Sequence, residues 1–338
     1  MSGEVSKLDD VLVVVPCLNE AAHLPSLLAL LAGDAPDALI VVADGGSTDG
    51  SPALVQAAAA QWPNIKLLHN PHRIQSAAVN LAAQVFGAGK RWLVRVDAHC
   101  DYPEGYVRGL VAAAGRTGAK SVVVPMVTIG KTCFQSAAAA AQNSKLGTGG
   151  SAHRSVVEGQ FVDHGHHALF DLAAYLAVGG YDENFSHNED AELDIRLGAQ
   201  GVRIWIEPTL ALTYYPRRTP RALFRQYFSY GKGRARTVLR HKTRLKLRQA
   251  LPLAVPPAVV LALAAPLQPL AAVPALVWAV GCLSFGLVLA VKARKPCVAL
   301  SGVAAMIMHF AWSLGFLRQL VAGATFTRPE AVPSAGGL

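Results

Sequence analysis

The chain has 338 residues, of which 52% are hydrophobic and only 16% charged, whereas about a quarter of the residues of a soluble protein usually carry charge. Such an apolar composition excludes a disordered or collagen-like chain, and the length suits one large or two ordinary domains. The net charge of +9 averages two unlike parts, because residues 1–207 hold 14 Lys and Arg against 21 Asp and Glu, while residues 208–338 hold 17 Lys and Arg and a single acid, Glu330.

Short apolar runs alternate with segments of helical spacing through the first 125 residues. Strands are predicted at 10–15, 39–43, 65–69, 92–96 and 120–125, and helices at 20–31, 74–86 and 103–114, with 47–49 capping another helix. This alternation predicts a mostly parallel sheet with helices on both faces. Ligands of such sheets bind beyond the carboxyl ends of the strands, where Glu20, Asp44, Asp97 and His99 fall.

The common nucleotide-binding motifs and a disulfide framework are both missing from the sequence. No GxGxxG follows the first strand, and residues 115–121 lack the spacing of a P-loop, which argues against a dehydrogenase or an NTPase. Five cysteines without a CxxC pair predict no disulfides and favour a reducing compartment. The polar, acidic N-terminus is unlike a signal peptide, so we expect the first domain in the cytoplasm.

Long uncharged runs follow a basic segment in the second part of the chain. Residues 217–248 carry 12 Lys and Arg and no acid, and the next 43 residues carry no charge at all. These fit two membrane spans joined by a turn at 266–269, and residues 296–317 are a third candidate. A buried helical hairpin or helices lying in the interface are the alternatives. The runs favour a membrane surface over nucleic acid as the partner of the basic segment.

The basic flanks predict the orientation and the domain organisation. Lys and Arg at 217–248 and 292–295 should remain cytoplasmic, with the 266–269 turn outside. We predict a cytoplasmic catalytic domain at 1–216, a basic amphipathic interfacial segment at 217–249, a membrane domain of two or three transmembrane helices at 250–320, and a tail at 321–338.

Four sequence blocks resemble glycosyltransferase family 2: VVVPCLNE (13–20), VVADGGSTDGS (41–51), VRVDAHCDYP (94–103) and HNEDAELDIRL (187–197). Their order and spacing match the family over residues 10–235. The resemblance implies a GT-A fold and transfer of a sugar from a nucleotide-sugar donor with inversion. GTGGSAHR (147–154), DAH (97–99) and YGKGRAR (230–236) resemble succinoglycan-type exopolysaccharide glucosyltransferases, which are membrane-attached and build lipid-linked repeat units.

The resemblance assigns the donor and metal sites. It implies that Pro16, Glu20 and Asp44 contact the nucleotide, although both carboxylates could instead cap helices. Arg73 is placed at the nucleotide too, or else is a solvated arginine. Asp97 would meet the ribose and the metal that bridges the diphosphate. His99 stands where the family has a second aspartate, so the ligands fit Mg²⁺ or Mn²⁺ and the identity of the metal stays open.

The same resemblance implies which residues are the general base and which lie on the acceptor side. Asp190 would take the proton of the acceptor hydroxyl, with Glu189 orienting or binding the acceptor, while Glu192 and Asp194 suit an acidic first helical turn. Candidates for the acceptor or diphosphate side are Gly149, Gly150, Asp163, His166, Gln226 and Arg234. A plain turn at 147–151 and a lipid-facing role for the arginines are the alternatives.

Together these features predict an inverting, metal-dependent hexosyltransferase at the inner membrane of a bacterium. We expect transfer of glucose from UDP-glucose to a lipid-linked oligosaccharide in exopolysaccharide biosynthesis, with no nucleic-acid partner. A polyprenyl-phosphate glycosyltransferase and a catalytically silent nucleotide-binding membrane scaffold are the alternatives.

Overall fold

The structure, a computed structural model, describes residues 7–149 and 158–323. Within them lie ten strands: β1 (Val11–Cys17), β2 (Leu39–Asp44), β3 (Ile65–His69), β4 (Trp92–Arg95), β5 (Ser121–Val124), β6 (Met126–Thr128), β7 (Gln160–Val162), β8 (His166–Asp171), β9 (Ile204–Ile206) and β10 (Leu212–Tyr214).

The described residues also form thirteen α-helices, which are α1 (Leu24–Asp34), α2 (Ser51–Gln61), α3 (Gln75–Phe86), α4 (Tyr106–Thr117), α5 (Cys133–Gln142), α6 (Lys145–Thr148), α7 (Leu172–Ala177), α8 (Glu189–Ala199), α9 (Pro220–His241), α10 (Leu247–Ala250), α11 (Val255–Ala262), α12 (Val273–Ala293) and α13 (Ser301–Ala322). Short 3₁₀ turns occur at Pro208–Leu210, Leu251–Ala254, Pro269–Ala272 and Pro296–Leu300.

The chain divides into two compact units, and the first contains an eight-stranded sheet. The strand order is β3-β2-β1-β4-β8-β5-β9-β7, and β10 pairs separately with β6. Strands β3, β2, β1 and β4 are parallel, as are β5 and β9, while β8 runs antiparallel to both of its neighbours and β7 antiparallel to β9. The predicted mostly parallel sheet is therefore confirmed.

Both faces of the central strands are buried, which explains their continuous apolar sequence. On one face, side chains of β1 and β2 such as Leu12 and Val41 pack with Val79 of α3 and Leu193 of α8. On the other, Val13 is likewise wholly inaccessible to solvent. The sheet is thus covered by helices on both sides, as predicted.

The predicted strands all form and the helix predicted at 74–86 is found at Gln75–Phe86, whereas two other helices begin several residues later than predicted. The helix expected from residue 20 begins at Leu24, and the one expected from 103 begins at Tyr106, after Gly105 in a left-handed conformation (φ +72°). At α2 the N-cap residue is Gly50, and the Asp49 carboxylate accepts hydrogen bonds from the amides of Ser51 (3.0 Å) and Ala21 (2.9 Å). Loop geometry therefore sets where each helix begins.

The second unit comprises the described residues 127–149 and 213–323, so that α5 and α6 belong to it. Its core packs α13 against α9, α5 and α12, with Ala138, Leu223, Ala305 and Met308 buried between helices. The absence of disulfides expected from the cysteine spacing is wrong for one pair. Cys133 of α5 bonds to Cys297, 164 residues later, and only the folded chain brings them together.

Two helical segments of the second unit are long and apolar enough to cross a membrane, namely Pro269–Ala293 and Pro296–Ala322. The span predicted before the 266–269 turn instead forms a shorter helical stretch, Leu247–Ala262. Prolines explain the difference, because Pro252, Pro256 and Pro257 lack the N–H that an α-helix continuing from Leu247 would need, so a 3₁₀ turn intervenes and α11 begins only at Val255.

Candidate active site

The carboxyl ends of β1, β2 and β4 meet at one edge of the sheet. Cys17 at the end of β1 pairs in register with Asp44 at the end of β2, and Val14 of β1 pairs with Arg95, the last residue of β4. The polar residues that follow these strands are thereby placed side by side, as expected for a ligand site in an open α/β sheet.

Five of the predicted site residues line a single solvent-open cleft of about 140 Å³ beyond this edge: Pro16, Glu20, Arg73, Asp97 and His99. The His99 Nδ1 atom lies 3.1 Å from Glu20 Oε1, so these two side chains are in contact. Asn70 and Gln75 also line the cleft and were missed by the sequence analysis. The Gln75 amide donates to Asp97 Oδ1, which links this wall to the predicted metal ligand.

Asp44 is buried and does not line the cleft. Its carboxylate accepts hydrogen bonds from the backbone amides of Gly46 (2.9 Å) and Ser47 (3.1 Å), so it holds the turn after β2. Glycine is favoured in this turn, since Gly46 is left-handed (φ +84°) and a Cβ on Gly45 would lie 3.1 Å from the Cα of Arg73. Asp44 therefore shapes the loop against which Arg73 is seated.

Arg95 is the centre of a buried charge network that the sequence analysis did not identify. Its side chain is 4% exposed. Arg95 Nη1 donates to Asp190 Oδ1 (2.7 Å) and to the Tyr181 hydroxyl (2.8 Å), and Nε donates to Asp97 Oδ1 (3.2 Å). Nη2 lies 3.7 Å from Glu189 Oε1. One guanidinium thus joins the predicted metal ligand to both members of the predicted catalytic pair.

The network separates the ionisation of the two neighbouring carboxylates. Burial disfavours the charged form of Asp190, but attraction by Arg95, His167 and His166 together with the Tyr181 hydrogen bond outweighs it and holds the pKa of Asp190 well below its usual range. Burial and then repulsion by Asp190 raise the pKa of Glu189 to about 7. Asp190 is therefore an ionised carboxylate at neutral pH, whereas Glu189 titrates there.

His166 lies between the two halves of this network. Its Nε2 atom is 3.6 Å from Asp97 Oδ2, and its Nδ1 atom is 4.0 Å from Asp190 Oδ2. Burial lowers the pKa of His166, which favours the neutral ring. Asp163, three residues earlier, is exposed in the segment between β7 and β8.

The donor set fits a divalent ion held partly by substrate. No group of three or more His, Cys, Asp or Glu side chains is arranged around a common point in the part of the chain that the structure describes. Asp97 and the half-exposed His99 offer one carboxylate and one imidazole beside the cleft. Mg²⁺ and Mn²⁺ commonly take one or two protein ligands together with phosphate oxygens and water, and these residues suit that arrangement.

The remaining acidic residues of α8 have structural partners. Glu192 forms an ion pair with Arg196 one helical turn later (2.5 Å). Asp194 lies between His164 Nδ1 (2.5 Å) and His167 Nε2 (2.6 Å). Both side chains therefore have partners in α8 or packed against it, and the catalytic roles of Glu189 and Asp190 stay predictions.

The other predicted acceptor-side residues belong to the second unit, apart from Gly150, which lies outside the described residues. Gly149 ends α6 in a left-handed conformation (φ +61°), and a Cβ there would approach Arg248 Cβ to 2.7 Å. The Gln226 amide of α9 donates to the hydroxyls of Tyr214 (2.8 Å) and Tyr230 (2.9 Å). Arg234 is half-buried in the middle of α9.

Comparison with known proteins gives one family and two informative relatives. The model of the family described as "Glycosyl transferase family 2" matches residues 12–175. Over 323 residues the chain is 50% identical to the succinoglycan biosynthesis protein ExoA of Rhizobium meliloti (strain 1021), covering 95% of this chain and 98% of that protein.

Among solved structures, the chain resembles the mannosyltransferase PcManGT from Pyrobaculum calidifontis, determined in complex with GDP-Man and Mn²⁺. The TM-score is 0.62 at 19% identity, covering 94% of this chain and 90% of the other. A likeness at this identity shows the fold alone, and it confirms the expected GT-A architecture.

Proposed function

The chain belongs to glycosyl transferase family 2 and is a glycosyltransferase, and from this premise we propose that it transfers glucose from UDP-glucose to a lipid-linked oligosaccharide in exopolysaccharide biosynthesis. The observation that carries the proposal is the cleft of Pro16, Glu20, Arg73, Asp97 and His99 next to the Arg95–Asp190 ion pair. A cleft lined by the predicted donor residues thereby lies next to an ionised carboxylate. The name of the 50% identical relative supports a polysaccharide product.

In this proposal the cleft holds the nucleotide diphosphate. Pro16, near the end of β1, and Glu20, which follows it, contact the base and ribose, and Arg73 offers its positive charge to the donor. Asp44 acts through the Gly45–Gly46 turn that seats Arg73, rather than by touching the nucleotide. The binding of GDP-Man by PcManGT supports a nucleotide-sugar donor for this fold.

We place a divalent cation, Mg²⁺ or Mn²⁺, at Asp97 and His99. When bound, such an ion neutralises the charge that develops on the departing diphosphate. The hydrogen bonds from Arg95 and Gln75 orient Asp97 so that its Oδ2 atom remains directed away from both donors. The Mn²⁺ in the PcManGT complex supports this assignment.

Asp190 acts as the general base in the proposed single displacement. Its Oδ1 atom already accepts hydrogen bonds from Arg95 and Tyr181, so the acceptor hydroxyl passes its proton to Oδ2. Because the pKa of Asp190 is held low, it is a weak base that takes the proton late, as the new bond to the anomeric carbon forms and the diphosphate leaves. Glu189 binds or orients the acceptor.

A donor screen tests the assignment. Purified full-length protein, native lipid extract and Mg²⁺ or Mn²⁺ are incubated with UDP-glucose, UDP-galactose or GDP-mannose, and nucleotide release and labelled lipid are measured. We expect nucleotide release and formation of a labelled glycolipid when UDP-glucose is the donor, and neither with the other two donors. A product that chromatographs as a single sugar on a lipid phosphate would replace the acceptor assignment, and no release from UDP-glucose would overturn the donor.

Asp190→Asn separates catalysis from binding in the same assay. We expect transfer to be abolished while UDP-glucose binding stays nearly unchanged, because Asn keeps the shape but cannot take the proton. Asp37→Asn, at an exposed position of the same unit, is the matched control and should retain full activity. Sustained turnover by Asp190→Asn contradicts the base assignment.

We also propose that the protein resides at the inner membrane of a bacterium with its catalytic domain in the cytoplasm, where nucleotide sugars are available. The basic 217–249 segment and the apolar helices of the second unit support membrane attachment. The roles of Gly149, Gly150, Asp163, His166, Gln226 and Arg234 on the acceptor or diphosphate side stay predictions.

A further inference from the structure

The two long apolar helices of the second unit differ sharply in their surroundings. Of the most apolar 18 residues in Pro269–Ala293, which contains α12, 11% are buried. The corresponding share in Pro296–Ala322, which contains α13, is 44%. Large apolar side chains of α12 are exposed around the helix: Leu276, Val277, Val280, Leu287, Val288 and Val291. Exposed apolar surface of this extent requires a covering apolar phase.

α11 and the turn that follows continue the exposed surface of α12. Val260, Leu261, Leu263 and Leu267 are all exposed, and α11 packs on α12. We call residues 255–293 the apolar hairpin. The turn of the hairpin, at 266–269, carries no charge. Lys246 and Arg248 precede the hairpin, and Arg294 and Lys295 follow it. Basic residues at both ends and none at the turn are typical of a hairpin inserted from one side.

α13, in contrast, is paired with α9 over most of its length. The backbones touch, since a Cβ on Gly231 would lie 1.9 Å from the Trp312 carbonyl oxygen and one on Gly315 would lie 2.0 Å from that of Phe228. Further along both helices, Arg236 Nε donates to Gln319 Oε1 (3.3 Å). The two helices are therefore in close backbone contact.

Polar groups in the middle of α13 are also used inside the second unit. The Ser313 hydroxyl donates to the Pro252 carbonyl (2.6 Å), and His309 Nε2 donates to the Leu146 carbonyl (2.8 Å). These contacts make α13 the core helix of the unit rather than a lipid-facing one.

The charge of α9 decides where α13 can lie. α9 contains no Asp or Glu and carries six basic residues: Arg221, Arg225, Lys232, Arg234, Arg236 and Arg240. A membrane-crossing α13 would carry its partner α9 into the hydrocarbon, where each charged side chain is strongly disfavoured. Anionic lipid headgroups, by contrast, attract such a helix.

We propose that α13 does not cross the membrane but lies with α9 at the anionic headgroup surface, and that the apolar hairpin alone enters the bilayer and returns to the same side. The basic loop after α12 and the end of α13 are then on the side of α9. The proposal concerns the second unit only and is independent of the sugar and acceptor transferred. It replaces the three-span arrangement and the arrangement in which α12 and α13 are the two spans.

Cysteine labelling in sealed membranes discriminates between the three arrangements. Lys246→Cys, Lys292→Cys, Val321→Cys and Leu267→Cys are made separately in the full-length protein, all at exposed positions. Right-side-out and inside-out vesicles are treated with a membrane-impermeant maleimide, with labelling in detergent as the reference and the unsubstituted protein as background for its own cysteines.

We expect the cysteines at 246, 292 and 321 to be labelled from one and the same side, and the cysteine at 267 to be protected on that side. Labelling at 321 from the side opposite to 246 establishes three spans and overturns the proposal. Labelling at 292 from the opposite side establishes α12 and α13 as two spans and also overturns it. Protection of 321 from both sides places the end of α13 in lipid, which likewise overturns the proposal.

Discussion

At the scale of single residues, the site depends on a charged side chain at the end of an apolar strand. Arg95 contacts Asp97, Asp190 and Tyr181 at once from a buried position, which only a planar guanidinium with several donors can do. It therefore sets the distance between the carboxylate proposed to hold the metal and the carboxylate proposed to take the proton.

Arg95→Lys is expected to leave the protein folded and to lower kcat about 100-fold, because a displacement of about 1 Å at the reacting groups has an effect of that order. A lysine preserves the positive charge but cannot hold both Asp97 and Asp190. Steady-state kinetics and the pH profile of kcat measure the effect. Arg91→Lys, an exposed arginine stacked on Trp92 just before β4, is the matched control. A kcat equal to that of wild type rules out a positioning role for Arg95.

The sequence identified residues by their motif and missed those that act through tertiary contact. Asp97 and His99 fall in a recognisable triplet after a strand, and both line the cleft. Arg95 sits among valines, and its partners Tyr181 and Asp190 are 86 and 95 residues away. The available signal was physical, since an arginine within a strand that is otherwise buried must have buried acceptors.

Glu189 should make stability depend on pH. Its pKa in the folded protein, about 7, exceeds the value of 4.5 for the free side chain, so the folded state binds the proton more tightly than the unfolded state. The sign follows from linkage: the free energy of unfolding falls as pH rises from about 4.5 to 7 and is constant above, by an amount on the order of 3 kcal/mol.

Glu189→Gln removes this ionisation and should therefore raise the melting temperature relative to wild type at pH 8, with no difference near pH 4.5. Thermal unfolding across this range, with the exposed Glu158→Gln as control, measures it. A difference between Glu189→Gln and wild type that does not vary with pH contradicts the burial-driven shift.

At the scale of elements, the strands were predictable and their neighbours in the sheet were not. β1 and β2 are continuous apolar runs, and such runs are typical of strands that are covered by other elements on both faces. The insertion of β8 between β4 and β5 brings His166 to Asp97, and it depends on pairing between residues 42 to 79 positions apart, which local periodicity does not encode. Likewise α5 joins the second unit through contacts with α13 far along the chain.

The closeness of α9 and α13 predicts a position-specific response to a single methyl group. Gly231→Ala should destabilise the protein by about 1–3 kcal/mol or more, because the added Cβ meets the Trp312 carbonyl oxygen and the helices must separate. Gly281→Ala in α12, where nothing lies within 4 Å of the new Cβ, should be neutral or stabilising, since alanine favours a helix by about 1 kcal/mol over glycine. Thermal unfolding in detergent compares the two, and equal effects contradict the packing of α9 on α13.

At the scale of the whole molecule, the net charge of +9 is the sum of an acidic part and a basic part of the chain, to which we assign different functions. The acidic first 207 residues include the carboxylates at the cleft and around Arg95, and the basic remainder includes α9 and the ends of the apolar hairpin. Composition alone indicated a membrane surface, but it could not distinguish a helix that faces lipid from one that faces its own unit. That distinction required the pairing of α13 with α9.

Attachment to the membrane should accordingly have two separable parts, one apolar and one electrostatic. Basic residues near an anionic surface contribute about 1 kcal/mol each, and this attraction is lost in about 1 M salt, where the Debye length is about 3 Å. Burial of the apolar hairpin in lipid does not weaken in salt, so the wild-type protein is expected to stay in the membrane pellet during a high-salt wash.

Replacing two exposed side chains of the hairpin, Val280→Asp with Leu287→Asp, should leave only the electrostatic part. Each carboxylate disfavours the bilayer by roughly 2.5–3.5 kcal/mol, so the hairpin withdraws and the variant becomes releasable by high salt while remaining bound at low salt. Because α13 stays paired with α9 within the second unit, it leaves the membrane with the rest of the protein. Fractionation with gel filtration of the released material measures this, and Val280→Ala with Leu287→Ala should stay in the pellet. Retention of the Asp variant in high salt would show that a second apolar element, such as α13, holds the protein in lipid.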